Sequence, residues 1–291
     1  MTNDSGRALT LLNDSGFPFQ HACAHRIALL DGYQLAVEVP FTHPVTNGPL
    51  VGLHGTSDII AVQPARSADL LVCFVIECKR ASARIKNWVF VTNQRQSPRW
   101  PTFIYSTQLP AQGNQLAVTR SVTFPELGYQ RGRDFDFCVN WVETNAALNE
   151  LNRDQTQRIY APLKQAAHGT RALEAVAPKL VEGIEYFRLP SFTQTLYVPT
   201  VVTTAAIYVV TIPADRVVDG ELTPDSLVLG EPRKWTTVEF GMPDYLGYSV
   251  RRGTGQTGVT KRTIFVVSDR HLEEFCAGAL AVRNLSSTPT E

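Results

Sequence analysis

Seven consecutive apolar residues, 70–76, run straight into Glu77-Cys78-Lys79, and few folds accommodate such a segment. An unbroken apolar run of this length, bounded by turn residues, is the pattern of a β-strand covered on both faces. The chain must therefore supply layers above and below it. Side chains alternate along a strand, so Glu77 and Lys79 leave one face, roughly 7 Å apart by strand rise, while Cys78 leaves the other. Charges at the mouth of a buried strand are costly unless something partners them. On the residues alone, two readings stand: a functional Glu-Lys pair, or a plain strand-end ion pair in some other α/β protein.

A second acid belongs to the same neighbourhood. Residues 56–62 read as a strand, and a turn around Pro64 and Asp69 would fold it back as a hairpin, bringing Asp58 toward Glu77. Two carboxylates at hydrogen-bonding distance repel unless a proton or a cation lies between them. Mg²⁺, which takes one or two carboxylates plus water, suits such a pair, and Mn²⁺ is an able substitute. Lys79 would then stand beside the cation as a point charge for an attacking water or a phosphate.

Elsewhere, Phe19, Cys23, Ile27 and Leu30 recur at helical spacing and predict a helix over 18–30 that Gly32 stops. Residues 33–41 read as a strand closing at Pro40, and after 88–91 the pattern weakens through a polar stretch with Gln and Pro to about Asp136. Residues 145–186 read as helical with a break near Gly169 or Pro178, then 196–212, 235–240, 245–251 and 262–267 as strands, and 271–280 as a short helix. The expected class is α/β, a central mixed sheet flanked by helices, with extra strands in the C-terminal half. One domain is expected over 14–283, with its motif core at about 16–91, a flexible tail at 1–13 and a disordered tail at 284–291.

The order helix, strand, strand with Asp, strand with Glu-x-Lys resembles the PD-(D/E)XK nuclease superfamily, which has the restriction-endonuclease-like fold. The resemblance rests on Gly16-Phe17-Pro18-Phe19, on Gly32-Tyr33 entering a strand that ends Glu38-Val39-Pro40-Phe41, on Ser57-Asp58 leading Ile59-Ile60-Ala61-Val62, and on Phe74-Val75-Ile76-Glu77-Cys78-Lys79. Lys86-Asn87-Trp88 looks similar to a segment that follows the motif in many relatives. It implies a Mg²⁺-dependent endodeoxyribonuclease in which Asp58, Glu77 and the Cys78 carbonyl hold the metal and Lys79 serves the reaction, with a homodimer as its common assembly. Relatives often carry a Glu on the first helix where this chain has Gln20, and usually a Pro where it has Ser57. The neutral Gln20 also motivates the alternative, a nuclease-fold module that binds nucleic acid or protein without cutting. Gln165 matches a residue that relatives place near the phosphate, and Glu38 reads first as a solvated strand residue and second as a third acidic ligand.

Charge placement adds a second line. Lys and Arg total 27 and Asp and Glu 27, a net charge of zero, which excludes a globally cationic binder. Between Cys78 and Pro125 there is no acid, while Lys79, Arg80, Arg84, Lys86, Arg95, Arg99 and Arg120 alternate with aromatics, a composition that grips phosphates and stacks on bases. Arg251, Arg252, Lys261 and Arg262 lie in a second acid-free stretch. At 44% hydrophobic and 19% charged the chain has enough apolar residues for a core. Five scattered cysteines suit reduced thiols, and no apolar run reaches the 18 or so residues of a membrane span, so a soluble cytoplasmic protein is expected. Three further signals read as structural. The literal G-x-G-x-x-G at 253–258 precedes a strand rather than a helix, His21 and His25 lack a third ligand, and Cys78 points away from its charged neighbours.

Overall fold

The computed structural model describes residues 3–42, 54–64, 70–82, 85–92, 102–109, 116–123, 136–145, 156–176, 194–222, 229–243 and 259–279. In chain order the elements are helices α1 (Asn3–Ser15) and α2 (Phe17–Ala28); strands β1 (Gln34–Thr42), β2 (His54–Pro64), β3 (Leu70–Lys79), β4 (Asn87–Thr92), β5 (Thr102–Leu109), β6 (Leu116–Thr123) and β7 (Phe137–Thr144); helix α3 (Thr156–Val176); then β8 (Gln194–Thr203), β9 (Ala206–Thr211), the short β10 (Val217–Val218) and β11 (Glu221–Leu222), β12 (Trp235–Pro243) and β13 (Val259–Ser268). A helical segment over 269–279 closes the described chain. The protein is α/β, with a large mixed sheet flanked by helices.

The main path of that sheet runs β1-β2-β3-β8-β13-β12-β7-β4-β9, and β5 pairs with β6 and β8. β3 sits inside it, antiparallel to β2 and parallel to β8. Its two sets of side chains enter different cores, which is why its sequence is uninterrupted hydrophobe. Val72, Phe74 and Ile76 pack with Cys23, Ala24 and Ile27 of α2 and with Leu272, Phe275 and Cys276 of the C-terminal segment. Leu71, Cys73 and Val75 pack on the opposite face with Leu173 of α3. A third cluster extends the α3 side through Ile159, Leu163, Ala166 and Ala167 to Trp88, Phe90, Val238 and Ile264. Each large apolar side chain buried this way contributes roughly 1.5–3 kcal/mol.

β8 and β9 take the fourth and ninth places in the strand order yet are joined by only Thr204-Ala205. They pair in parallel with β3 and β4 respectively, so the sheet must curl to bring its two parts together. Pro199 inside β8 fits the same switch. On its β3 side β8 is paired throughout, whereas on the other side β5 covers residues 194–197 and β13 covers 200–203. Pro199 falls between the two partners, where a missing N–H costs no ladder bond on that side.

Several expectations are corrected. Within the stretch 1–13, read as a flexible tail, residues 3–13 belong to α1; Ala8, Leu9, Leu11 and Leu12 are good helix formers and no proline interrupts them. The segment 196–212 is two strands rather than one. Of the two breaks expected in 145–186, the one near Gly169 is absent, since α3 continues through it to Val176, and the one near Pro178 lies outside the described residues. β5, β6 and β7 occupy a stretch from which the sequence predicts no strands. The expected strand at 245–251 and the tail at 284–291 lie outside the described residues.

Candidate active site

β2 and β3 pair regularly from Pro64↔Leu71 to Ile59↔Ile76 and then stop. The next step of the same register would set Asp58 beside Glu77. Instead of a backbone ladder, the two carboxylates take up the backbone donors there: the Cys78 N–H donates to Asp58 Oδ2 at 2.7 Å, and the Asp58 N–H donates to the Glu77 carboxylate. β2 continues to pair with β1 beyond this point, through Val39↔Ser57 to Thr42↔His54. The strands therefore splay at Asp58, and the acids occupy the fork.

Glu77 is only 3% exposed, and its Oε1 has no hydrogen-bond partner. Burial pushes its carboxyl up to about 10, the neighbouring Asp58 and Glu38 charges push the same way, and the Asp58 N–H opposes them. Asp58 is raised to about 6, by burial first and by Glu38 after it, against the Cys78 N–H and Lys79, which lower it. Lys79 is half-buried, two residues along the same strand face as Glu77. The single ammonium does not offset two enclosed carboxylates. A buried carboxylate with an orphaned oxygen beside a second acid is a place that requires a proton or a cation.

α2 supplies the neighbouring amide. Its inward residues are Gln20, Cys23, Ala24 and Ile27, the i, i+3, i+4, i+7 stripe of a core-facing helix. Gln20 occupies a position that this pattern would give to a hydrophobe. Its Nε2 donates to Glu38 Oε1 at 2.5 Å and to the Asp58 carbonyl at 3.0 Å. The Cys78 thiol turns to the α2 side, where it hydrogen-bonds Cys23, and its pKa is raised by that bond and by burial.

Asp58, Glu77, Cys78 and Lys79 are thus brought together, with Gln20 and Glu38 alongside. Gln165 reaches the same strand from α3, its Nε2 donating to the Thr56 carbonyl at 2.8 Å. Arg80 is exposed and donates to the Asn13 carbonyl of α1 at 2.7 Å. Lys86 is exposed just before β4, its carbonyl accepting from the Ala206 N–H at 2.8 Å. Arg84, Arg95 and Arg99 lie outside the described residues. No protein-family model, curated protein or solved structure matches the chain. Its function has to be argued from the fork itself.

Sequence reasoning names Ser57 and Gly169 separately and does not bring them together. A Cβ built on Gly169 would lie 2.5 Å from Ser57 Oγ, 3.3 Å from the Phe41 ring and 3.4 Å from Val75 Cγ1. α3 therefore rides directly on the strand residue preceding Asp58. The sequence signal for this is a glycine in the middle of a helical pattern, which fits a close approach as well as a break. His21 and His25 are exposed on the outer side of α2, and among the described residues no three His, Cys, Asp or Glu side chains converge as a metal cage.

Proposed function

We propose that this chain is a divalent-metal-dependent nuclease of the PD-(D/E)XK superfamily, hydrolysing phosphodiester bonds in DNA. The observation that carries the reading is the orphaned Glu77 Oε1, buried beside Asp58 at the point where β2 and β3 part, with Lys79 on the same face. The donor set suits Mg²⁺ or Mn²⁺, because these ions bind through one or two carboxylates and keep several waters, so no cage of three side chains is needed. Asp58, Glu77 and the Cys78 carbonyl would hold the ion.

When bound, the ion polarises a phosphate oxygen and lowers the pKa of a coordinated water. The residues around it do the rest. The Cys78 N–H fixes one oxygen of Asp58, and the Asp58 N–H fixes the Glu77 carboxylate, so both ligands are oriented before anything binds. The Lys79 ammonium, on the face shared with Glu77, directs an attacking water and stabilises charge developing on the phosphate. The basic stretch after the motif, of which Arg80 and Lys86 are described and exposed, supplies phosphate contacts.

The second reading is a nuclease-fold module that does not cut. Gln20 favours it, since a neutral amide in place of an acid reduces the charge that would attract a cation. The test is a panel of plasmid, single-stranded DNA and RNA, incubated with Mg²⁺, with Mn²⁺ or with EDTA, using the wild type and Asp58→Asn. We expect metal-dependent cleavage of DNA that Asp58→Asn abolishes. No cleavage of any substrate, together with calorimetry showing no Mg²⁺ or Mn²⁺ affinity that depends on Asp58 and Glu77, would sink the nuclease and favour the non-cutting module.

A further inference from the structure

Among the described residues, two other than glycine have a positive φ: Asp219 at 50° and Glu38 at 52°. Asp219 precedes Gly220 in the turn between β10 and β11, an ordinary place for left-handed backbone. Glu38 lies in the middle of β1, where that conformation costs an L-residue on the order of 1–2 kcal/mol. Its effect on the strand is visible in the packing. Ala36 and Val39, three apart, both enter the α3-side core, which regular alternation forbids. The pairs of β1 with β2 run Val37↔Ile59 and then Val39↔Ser57, leaving Glu38 opposite Asp58.

Glu38, Asp58 and Glu77 therefore stand in one row across three adjacent strands. Gln20 ties the outer member of the row to the middle one, with one amide nitrogen on the Glu38 carboxylate and on the Asp58 carbonyl. An amide NH₂ has two hydrogens, and both are committed. The charge of the row decides what it suits. Three carboxylates and Lys79 sum to −2, the charge that one divalent cation neutralises, whereas Asp58 and Glu77 with Lys79 alone sum to −1. The buried Glu77 Oε1 without a partner is the independent sign that a ligand belongs there.

We propose that Glu38 is the third carboxylate of a single-cation site, acting on the ion through a bound water, and that Gln20 is the positioning residue that holds it there. This rests on the reading that Asp58 and Glu77 hold the ion. Action through water agrees with the absence of three converging side chains among the described residues, and the Gln20 amide occupies the Glu38 oxygen nearest to it. Partners of this outer kind typically change metal affinity 10- to 100-fold.

The test is Mn²⁺ binding to the full chain, followed by the electron-spin-resonance signal of free Mn²⁺, for the wild type, Glu38→Gln, Glu38→Asp, Gln20→Leu, Glu77→Gln and Asp219→Asn. Thermal unfolding of each variant checks that it is folded. We expect one Mn²⁺ per chain in the wild type, about 10- to 100-fold weaker binding in Glu38→Gln and Gln20→Leu with the stoichiometry kept, partial recovery in Glu38→Asp, and wild-type affinity in Asp219→Asn, which removes an exposed acid elsewhere. Affinity of Glu38→Gln within about twofold of wild type, or an equal loss in Asp219→Asn, would overturn the role of Glu38 while leaving Asp58 and Glu77 in place. Wild-type chain that binds no Mn²⁺, or binding that survives in Glu77→Gln, overturns the underlying reading and this one with it.

Discussion

Glu77 has a folded-state pKa of about 10 and Asp58 one of about 6, both above their ordinary values and both raised first by burial. The sign of the consequence follows from proton linkage. The folded metal-free protein holds these protons at pH values where the unfolded chain has released them, so stability declines as pH rises, from about pH 4 to 6 through Asp58 and up to about pH 10 through Glu77. We expect the unfolding midpoint in EDTA to fall between pH 5 and pH 9, and Mg²⁺ to raise it most at the alkaline end, where binding displaces the fewest protons. A midpoint in EDTA that climbs over this range would contradict the enclosure of these two acids. Glu77→Gln replaces an enclosed carboxyl by a neutral group of the same shape. It should flatten the profile and raise the metal-free midpoint at pH 9 by about 3 °C or more, while abolishing cleavage; a calorimetric scan beside a plasmid assay measures both. A residue that stabilises the fold when neutralised and disables it as a catalyst is one retained for chemistry.

β3, α2 and the β2 fork are legible in the sequence because each leaves a local mark: hydrophobe on both faces, a stripe at helical spacing, charges where the apolar run ends. What α3 does is not legible there. Gly169 looks like an interruption, yet it is the point where the helix backbone comes closest to Ser57, a contact between distant parts of the chain. A side chain there must displace Ser57 Oγ, and the Phe41 ring and Val75 close off the alternatives. Gly169→Val should cost about 1–3 kcal/mol through overpacking, lowering the urea midpoint and loosening α3 from β2; an unchanged midpoint would mean that α3 does not ride on Ser57. Gln165→Ala, which removes only a bond to the Thr56 carbonyl, should cost about 0.5–1.5 kcal/mol in the same titration. β5 and β7 leave no clear sequence pattern for a related reason. Their partners are β6 and β8, and β4 and β12, and most of these lie far along the chain. Glu38 is legible as an acid but not as a member of the row, because a left-handed residue in mid-strand leaves no pattern in composition or period.

At the scale of the whole molecule, the chain is neutral in sum, and its acids and bases are segregated along the sequence. On the proposed reading, DNA would be held through one region, with a modest number of phosphate contacts, so its affinity should fall with salt but less steeply than for a uniformly basic protein. Lys86→Ala should weaken binding to unrelated DNA sequences alike and reduce the slope of log affinity against log salt by about 1, measured by fluorescence anisotropy in Ca²⁺ to prevent turnover. An unchanged slope would place the DNA elsewhere. The curl that joins β3 and β4 to β8 and β9 holds the fork at the end of a strand buried on both faces, so its acids are presented by a rigid sheet rather than by a loop. The reaction assigned to that fork depends on one ammonium beside two carboxylates, and the rate of supercoiled-plasmid nicking tests it most directly. Nicking in Mg²⁺ should be lost in EDTA and reduced by about 100-fold or more in Lys79→Ala, with that variant folded as the wild type. Nicking by Lys79→Ala at the wild-type rate, or nicking that persists in EDTA, would contradict it.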